Sequence, residues 1–184
     1  SNLMNKFKDN AATGTSFGIL LALSFSHLAN DTLQSVISAV YPLLKESLAL
    51  SFAQIGLITL VYQISASVFQ PVVGFYLDKR PNPWFLPVGM TFTMTGLTTL
   101  AFAHTVTLTV VAVFLVGIGS SILHPEASRL TSIASGGKRG MAQSLFQVGG
   151  NLGGSLGPLL VALIIAPYGQ KHIALFSILS VICI

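Results

Sequence analysis

The chain has 184 residues, of which 52% are hydrophobic and only 8% charged, with a formal charge of +4 and a mean hydropathy of +0.78. An ordinary soluble chain carries about a quarter charged residues to keep its surface wet, so this composition predicts a protein whose surface faces lipid. The basic residues stand singly between long apolar runs, which excludes a nucleic-acid partner, and the lone cysteine, Cys183, excludes a disulfide framework within the chain.

A bilayer core of about 30 Å needs about 20 apolar residues of helix. On that measure a tail over residues 1–15 precedes apolar runs at about 16–44, 52–77, 84–103, 106–134 and 139–166. A sixth run at 172–184 is expected to be incomplete. The predicted fold class is an all-α membrane protein, cut within its sixth helix. Arg80-Pro81-Asn82-Pro83, Ser135-Gly136-Gly137 and Pro167-Tyr168-Gly169 supply turns between runs. Lys6, Lys8, Lys79, Arg80, Arg129, Lys138 and Arg139 fall on one side of these runs, and only Lys45 and Lys171 on the other. Basic residues of short loops stay in the cytoplasm, so the N-terminus is expected to be cytoplasmic.

Polar groups at membrane depth carry the functional reading, because an ionisable group there costs at least a few kcal/mol and must face protein or water. In the first run His27, Asn30, Asp31, Gln34 and Ser38 share one helix face, with His27 and Asp31 one turn apart. Such a pair can change protonation with access to water, the property a proton-coupled carrier needs, or it can fix helix packing as a structural pair. The second run places Gln63 near its middle and Gln70, followed by Pro71, nearer the cytoplasm.

The fourth run ends in His124-Pro125-Glu126-Ala127-Ser128-Arg129. Here Glu126 and Arg129 either pair with each other or, with His124, handle an anionic substrate. This is not a zinc-protease signature, which needs two histidines four apart on one helix. No metal site, cofactor or catalytic residue is expected, and the chain reads as no enzyme. In the fifth run Gln143, Gln147, Asn151 and Ser155 draw a polar stripe that suits a water-filled cavity. Gly149, Gly153 and Gly157 form a ridge for close helix packing, and Pro158 marks a kink or hinge.

These residues carry a family resemblance. Gly74 followed by Asp78-Lys79, between the second and third runs, is similar to the loop motif of the major facilitator superfamily, and Gly153 with Gly157-Pro158 resembles the antiporter motif of its drug/proton exchangers. Pro81, Pro83 and Trp84 depart from the loop motif. Ser26-His27-Leu28-Ala29-Asn30-Asp31, Gln70-Pro71-Val72-Val73-Gly74, His124 to Arg129 and Gln147-Val148-Gly149-Gly150-Asn151 together resemble the bacterial fosmidomycin resistance group.

The resemblance implies the N-terminal six-helix half of a two-half carrier in the bacterial inner membrane. It implies export of a small anionic drug-like molecule such as fosmidomycin by proton antiport with alternating access. Protons, substrate, lipid bilayer and the missing C-terminal half are then the partners. Gly74, Asp78 and Lys79 become a gating loop, His27, Asn30, Asp31 and Gln34 the coupling group, and Gln63, His124, Glu126, Arg129, Gln143, Gln147 and Asn151 the substrate cavity. Import of a sugar or organic anion with protons, or a half-domain that does not transport by itself, remain alternatives.

Overall fold

The computed structural model describes residues 14–183, so Lys6, Lys8 and most of the expected tail lie outside the described residues. Every element among the described residues is helical. They are α1 (Phe17–Ala39), α2 (Tyr41–Ser47), α3 (Phe52–Lys79), α4 (Phe85–Ala101), α5 (Val106–Ala134), α6 (Arg139–Leu160), a π-helical turn (Val161–Ile165), α7 (Ala166–Tyr168), a 3-10 segment (Gln170–Phe176) and α8 (Ser177–Cys183). Helices satisfy their own backbone hydrogen bonds, which a lipid environment requires.

Three stretches, Phe52–Lys79, Val106–Ala134 and Arg139–Tyr168, are long and apolar enough to cross a membrane by length and composition. Phe85–Ala101 and Gln170–Ile182 are apolar but shorter. α1 has the length, at 23 residues, but His27, Asn30, Asp31 and Gln34 dilute its hydropathy. The run expected at 16–44 is not one helix. It breaks at Val40, and α2 restarts with Pro42 in its first turn, where a missing N–H leaves nothing unpaired. The run expected at 139–166 changes its winding at Val161, three residues after Pro158; a proline and a π-turn are both sources of a bend.

Local chemistry sets the helix starts. Ser51 and Gln54 form a reciprocal capping box at α3, with bonds of 2.8 and 3.1 Å, and the Leu108 N–H donates to Thr105 Oγ1 at 3.2 Å to start α5. Between α5 and α6 the chain turns through Gly136 and Gly137, at φ +57° and +89°. A side chain on Gly136 would also strike the backbone of Gly14 and Thr15. That contact belongs to a junction in which the Ser16 N–H donates to the Ala134 carbonyl at 3.0 Å and Thr15 Oγ1 to the Ser135 carbonyl at 2.9 Å.

α5 is the central helix, packed on α1, α3 and α4, while α1 packs along α6. Over half of α5's apolar window is buried, 56%, against 17% for α3. Leu57, Leu60, Ile64, Val68 and Phe75 of α3 are exposed at helical spacing, a stripe suited to lipid rather than water. Apolar burial does not drive helix association in lipid, so close packing has to. The α6 glycines permit it. A Cβ at Gly149 or Gly153 would strike the Ser24 or Leu28 backbone carbonyl, one at Gly157 the Ser35 hydroxyl, and one at Gly150 the His27 ring. Gly154 meets nothing within 4 Å, so the ridge is one-sided.

Candidate functional site

Four helices, α1, α3, α5 and α6, surround a cavity of about 390 Å³. His27 and Asp31 reach it from α1, Gln70 from α3, His124, Pro125 and Ser128 from α5, and Gln143, Phe146 and Gln147 from α6. Helical spacing puts His27 and Asp31 on one face, and His27 Nε2 lies 3.2 Å from Asp31 Oδ2. The other carboxylate oxygen, Oδ1, lies 3.3 Å from His124 Nε2 and accepts from Asn30 Nδ2 at 3.2 Å. Asp31 therefore sits between two imidazoles, one from its own helix and one from α5.

Both rings are fixed from behind. His27 Nδ1 donates to the Phe146 carbonyl at 2.8 Å, and its ring stacks on Phe146 with centroids 4.0 Å apart. The absence of a side chain at Gly150 makes room for that ring. His124 Nδ1 donates to the Ser120 carbonyl at 3.0 Å and lies 3.1 Å from the Ser120 hydroxyl. The two rings meet edge to face, with centroids 5.2 Å apart.

One turn further along α1, Gln34 Oε1 accepts from Tyr62 OH at 2.9 Å and from Ser120 Oγ at 3.2 Å, which ties α3 and α5 to α1. Asn30 Oδ1 and Gln34 Nε2 are buried without a partner among the described residues. Such groups are costly to leave unmet.

The other expected site residues divide clearly. Gln143 and Gln147 line the cavity, and Gln143 Nε2 donates to the Ser128 carbonyl at 3.1 Å. Glu126 is fully buried and accepts two bonds from Arg129, at 2.7 and 2.8 Å. Neither residue lines the cavity; their bidentate pair engages both carboxylate oxygens and two of the five guanidinium N–H groups. Gln63 and Asn151 are exposed and lie outside the cavity wall: they share a helix face with Gln70 and Gln147 but stand about two turns and about one turn further along it, beyond the depth of the cavity. Asp78 and Lys79 are exposed at the end of α3, with the Lys79 ammonium 4.1 Å from the centre of the Phe75 ring. Gly74 packs 3.8 Å from Pro125 Cβ, measured from its missing Cβ position.

Sequence reasoning missed the joining of His124 to Asp31, the role of Phe146 and the tie through Tyr62 and Ser120. It also expected no metal site, yet the ligand atoms of His27, Asp31 and His124 all lie within 4.8 Å of one another. Periodicity along one helix carries no signal for a partner on another. The one available hint was a histidine next to Pro125 at the depth of Gln143.

Residues 23–184 match the family model described as Major Facilitator Superfamily. The chain is 56% identical to the Fosmidomycin resistance protein of Escherichia coli (strain K12) and 45% identical to an uncharacterized MFS-type transporter, YfnC, of Bacillus subtilis (strain 168). Each alignment covers 92% of this chain and 42% of the relative. It is also 30% identical, over 74% of its length and 32% of the relative's, to a probable sulfoacetate transporter, SauU, of Cupriavidus necator. The chain thus spans about two-fifths of the length of the first two relatives. With an all-helical bundle arranged around α5, and this match over nearly all of its residues, the chain belongs to the Major Facilitator Superfamily, a family of membrane transporters and not of enzymes.

Proposed function

We propose that this chain is the N-terminal half of a bacterial inner-membrane exporter that expels a small anionic drug-like molecule, such as fosmidomycin, in exchange for protons. The observation that carries the reading is Asp31, held between His27 and His124 at the wall of a cavity. A carboxylate touching two imidazoles is an acid-base group that can load and release protons. Apart from Pro125 and Phe146, the rest of the wall is neutral amide and hydroxyl, Gln70, Gln143, Gln147 and Ser128, which binds polar cargo without competing for charge. In a space of about 390 Å³, cargo seated against those amides reaches the cluster, so drug and proton exclude each other as antiport requires. The cavity then closes against the C-terminal half by alternating access, with the N-terminus in the cytoplasm and Gly74, Asp78 and Lys79 at the gate. Similarity to a Fosmidomycin resistance protein supports the cargo.

One observation favours a second reading, proton-coupled import of an organic anion. Arg129 is neutralised by Glu126, so positive charge at the cavity wall comes only from protons on His27 and His124. Anion and proton would then bind together, as in symport, and the similarity to a probable sulfoacetate transporter fits an organic-anion cargo. Full-length protein in proteoliposomes separates the readings. Under the export reading, an inward proton gradient drives fosmidomycin out, inverted vesicles accumulate it, and Asp31→Asn or His27→Ala abolishes the dependence on the gradient. Gradient-driven accumulation in right-side-out vesicles would establish import, and unchanged coupling in both variants would remove the cluster from the mechanism.

A further inference from the structure

We infer that His27, Asp31 and His124 form a binding site for one divalent transition-metal ion of the zinc or cobalt(II) class at the cavity wall. Each imidazole has Nδ1 committed to a backbone carbonyl, at 2.8 Å for His27 and 3.0 Å for His124. A carbonyl only accepts, so in each neutral ring the proton sits on Nδ1 and the Nε2 lone pair is free. Both Nε2 atoms face Asp31, at 3.2 and 3.3 Å. Three electron-pair donors therefore converge, and a positive charge among them turns mutual repulsion into attraction. Protons achieve this separately along each N···O line, whereas a metal ion achieves it for all three donors at once.

The two N···O distances, one to each carboxylate oxygen, suit such an ion, and the ligand atoms all lie within 4.8 Å of one another. Two ligands bound to tetrahedral zinc at about 2.0–2.1 Å lie roughly 3.3–3.4 Å apart, close to the spacing of each Nε2 from its carboxylate oxygen. Donation of the other ring N–H to a backbone carbonyl is the outer-shell arrangement that orients metal-binding histidines, and here both rings have it. Two imidazoles and one carboxylate leave coordination positions open to water or cargo, and the cavity lies on that side, with Gln70, Gln143 and Gln147 in its wall. No other carboxylate, lysine or arginine lines the cavity among the described residues. The site shares its side chains with the proposed coupling group but does not rest on coupling.

The test titrates the purified full-length protein, free of any affinity tag, with cobalt(II) alone at neutral pH and with no gradient or cargo. Visible absorption of a low-coordinate cobalt site should rise to saturation at one equivalent and disappear when zinc is added. Affinity should fall tenfold or more in His27→Gln, Asp31→Asn and His124→Gln, and hold in His104→Gln and His172→Gln. His124→Cys in a Cys183→Ser background separates a lost ligand from a misfolded variant, because retained cobalt binding with a new thiolate-to-metal band requires a folded site. Absence of the bands in the wild type, their persistence in the first three variants, or a cysteine variant without the thiolate band would overturn the proposal. Failure of proton coupling in the transport assay would leave this result untouched, so the two readings fail separately.

Discussion

Replacing Gly150 by alanine displaces the His27 ring of the proposed coupling cluster without substituting any of its titratable groups. A Cβ at this position lies 2.6 Å from His27 Nε2 and 2.8 Å from Nδ1. Ordinary contact begins at 3.4 Å, and the ring's Cε1 lies nearer still, so the ring must retreat by about 1 Å. It can only move away from α6, which holds it through the Phe146 carbonyl at 2.8 Å and the Phe146 ring. Stretching that bond out of range leaves a buried N–H unpaired, worth about 1–3 kcal/mol, and residual overpacking adds to it. Alanine's better helix propensity returns about 1 kcal/mol. The expected net loss is about 1–3 kcal/mol of stability, read by thermal or denaturant unfolding of the purified protein. On the proposed coupling role, gradient-driven transport by the full-length protein should fall about tenfold to hundredfold, because Nε2 no longer meets Asp31 in the geometry that role requires. Gly140→Ala on the same helix, where a Cβ meets nothing within 4 Å, is the control and should be neutral or slightly stabilising. A Gly150→Ala protein as stable and as active as the wild type would refute the claim that the ring is wedged there.

Other outcomes follow from individual contacts. Arg129→Met strands a buried carboxylate and should destabilise by about 3–5 kcal/mol, while the pair Glu126→Leu with Arg129→Met should recover most of that loss in unfolding measurements. Were Arg129→Met stable but inactive, Arg129 would belong to substrate handling instead. Ser51→Ala removes one arm of the capping box and should cost about 0.5–2 kcal/mol, with faster amide exchange confined to the first turn of α3. Gln170 Nε2 donates to the Leu100 and Ala103 carbonyls at 2.8 and 2.9 Å. Gln170→Ala should therefore cost about 0.5–1.5 kcal/mol per bond and speed exchange at the end of α4, with transport preserved.

Much of this molecule follows from its sequence alone. Low charge and long apolar runs determine an all-helical membrane protein, because only a helix satisfies its backbone inside one segment in lipid. Intervals of three and four put His27 and Asp31 on one face of α1, and of Gln143 and Gln147 on one face of α6, since the helical period is a local property. The glycine ridge on α6 likewise marks a place where another helix must come close.

Which helix comes close, and what it brings, belongs to the tertiary structure. The α6 ridge receives α1, so the Phe146 carbonyl meets His27 and fixes which ring nitrogen faces Asp31. α5 supplies His124 to the other carboxylate oxygen and turns Glu126 and Arg129 onto each other instead of into the cavity. Gln63 and Asn151 belong to polar patterns of the expected kind yet stand outside the cavity wall, because the neighbouring helices close the cavity over only part of each stripe. Sequence period decides which residues of one helix share a face; the shape and polarity of the helices packed against it decide where that face points and which groups meet there.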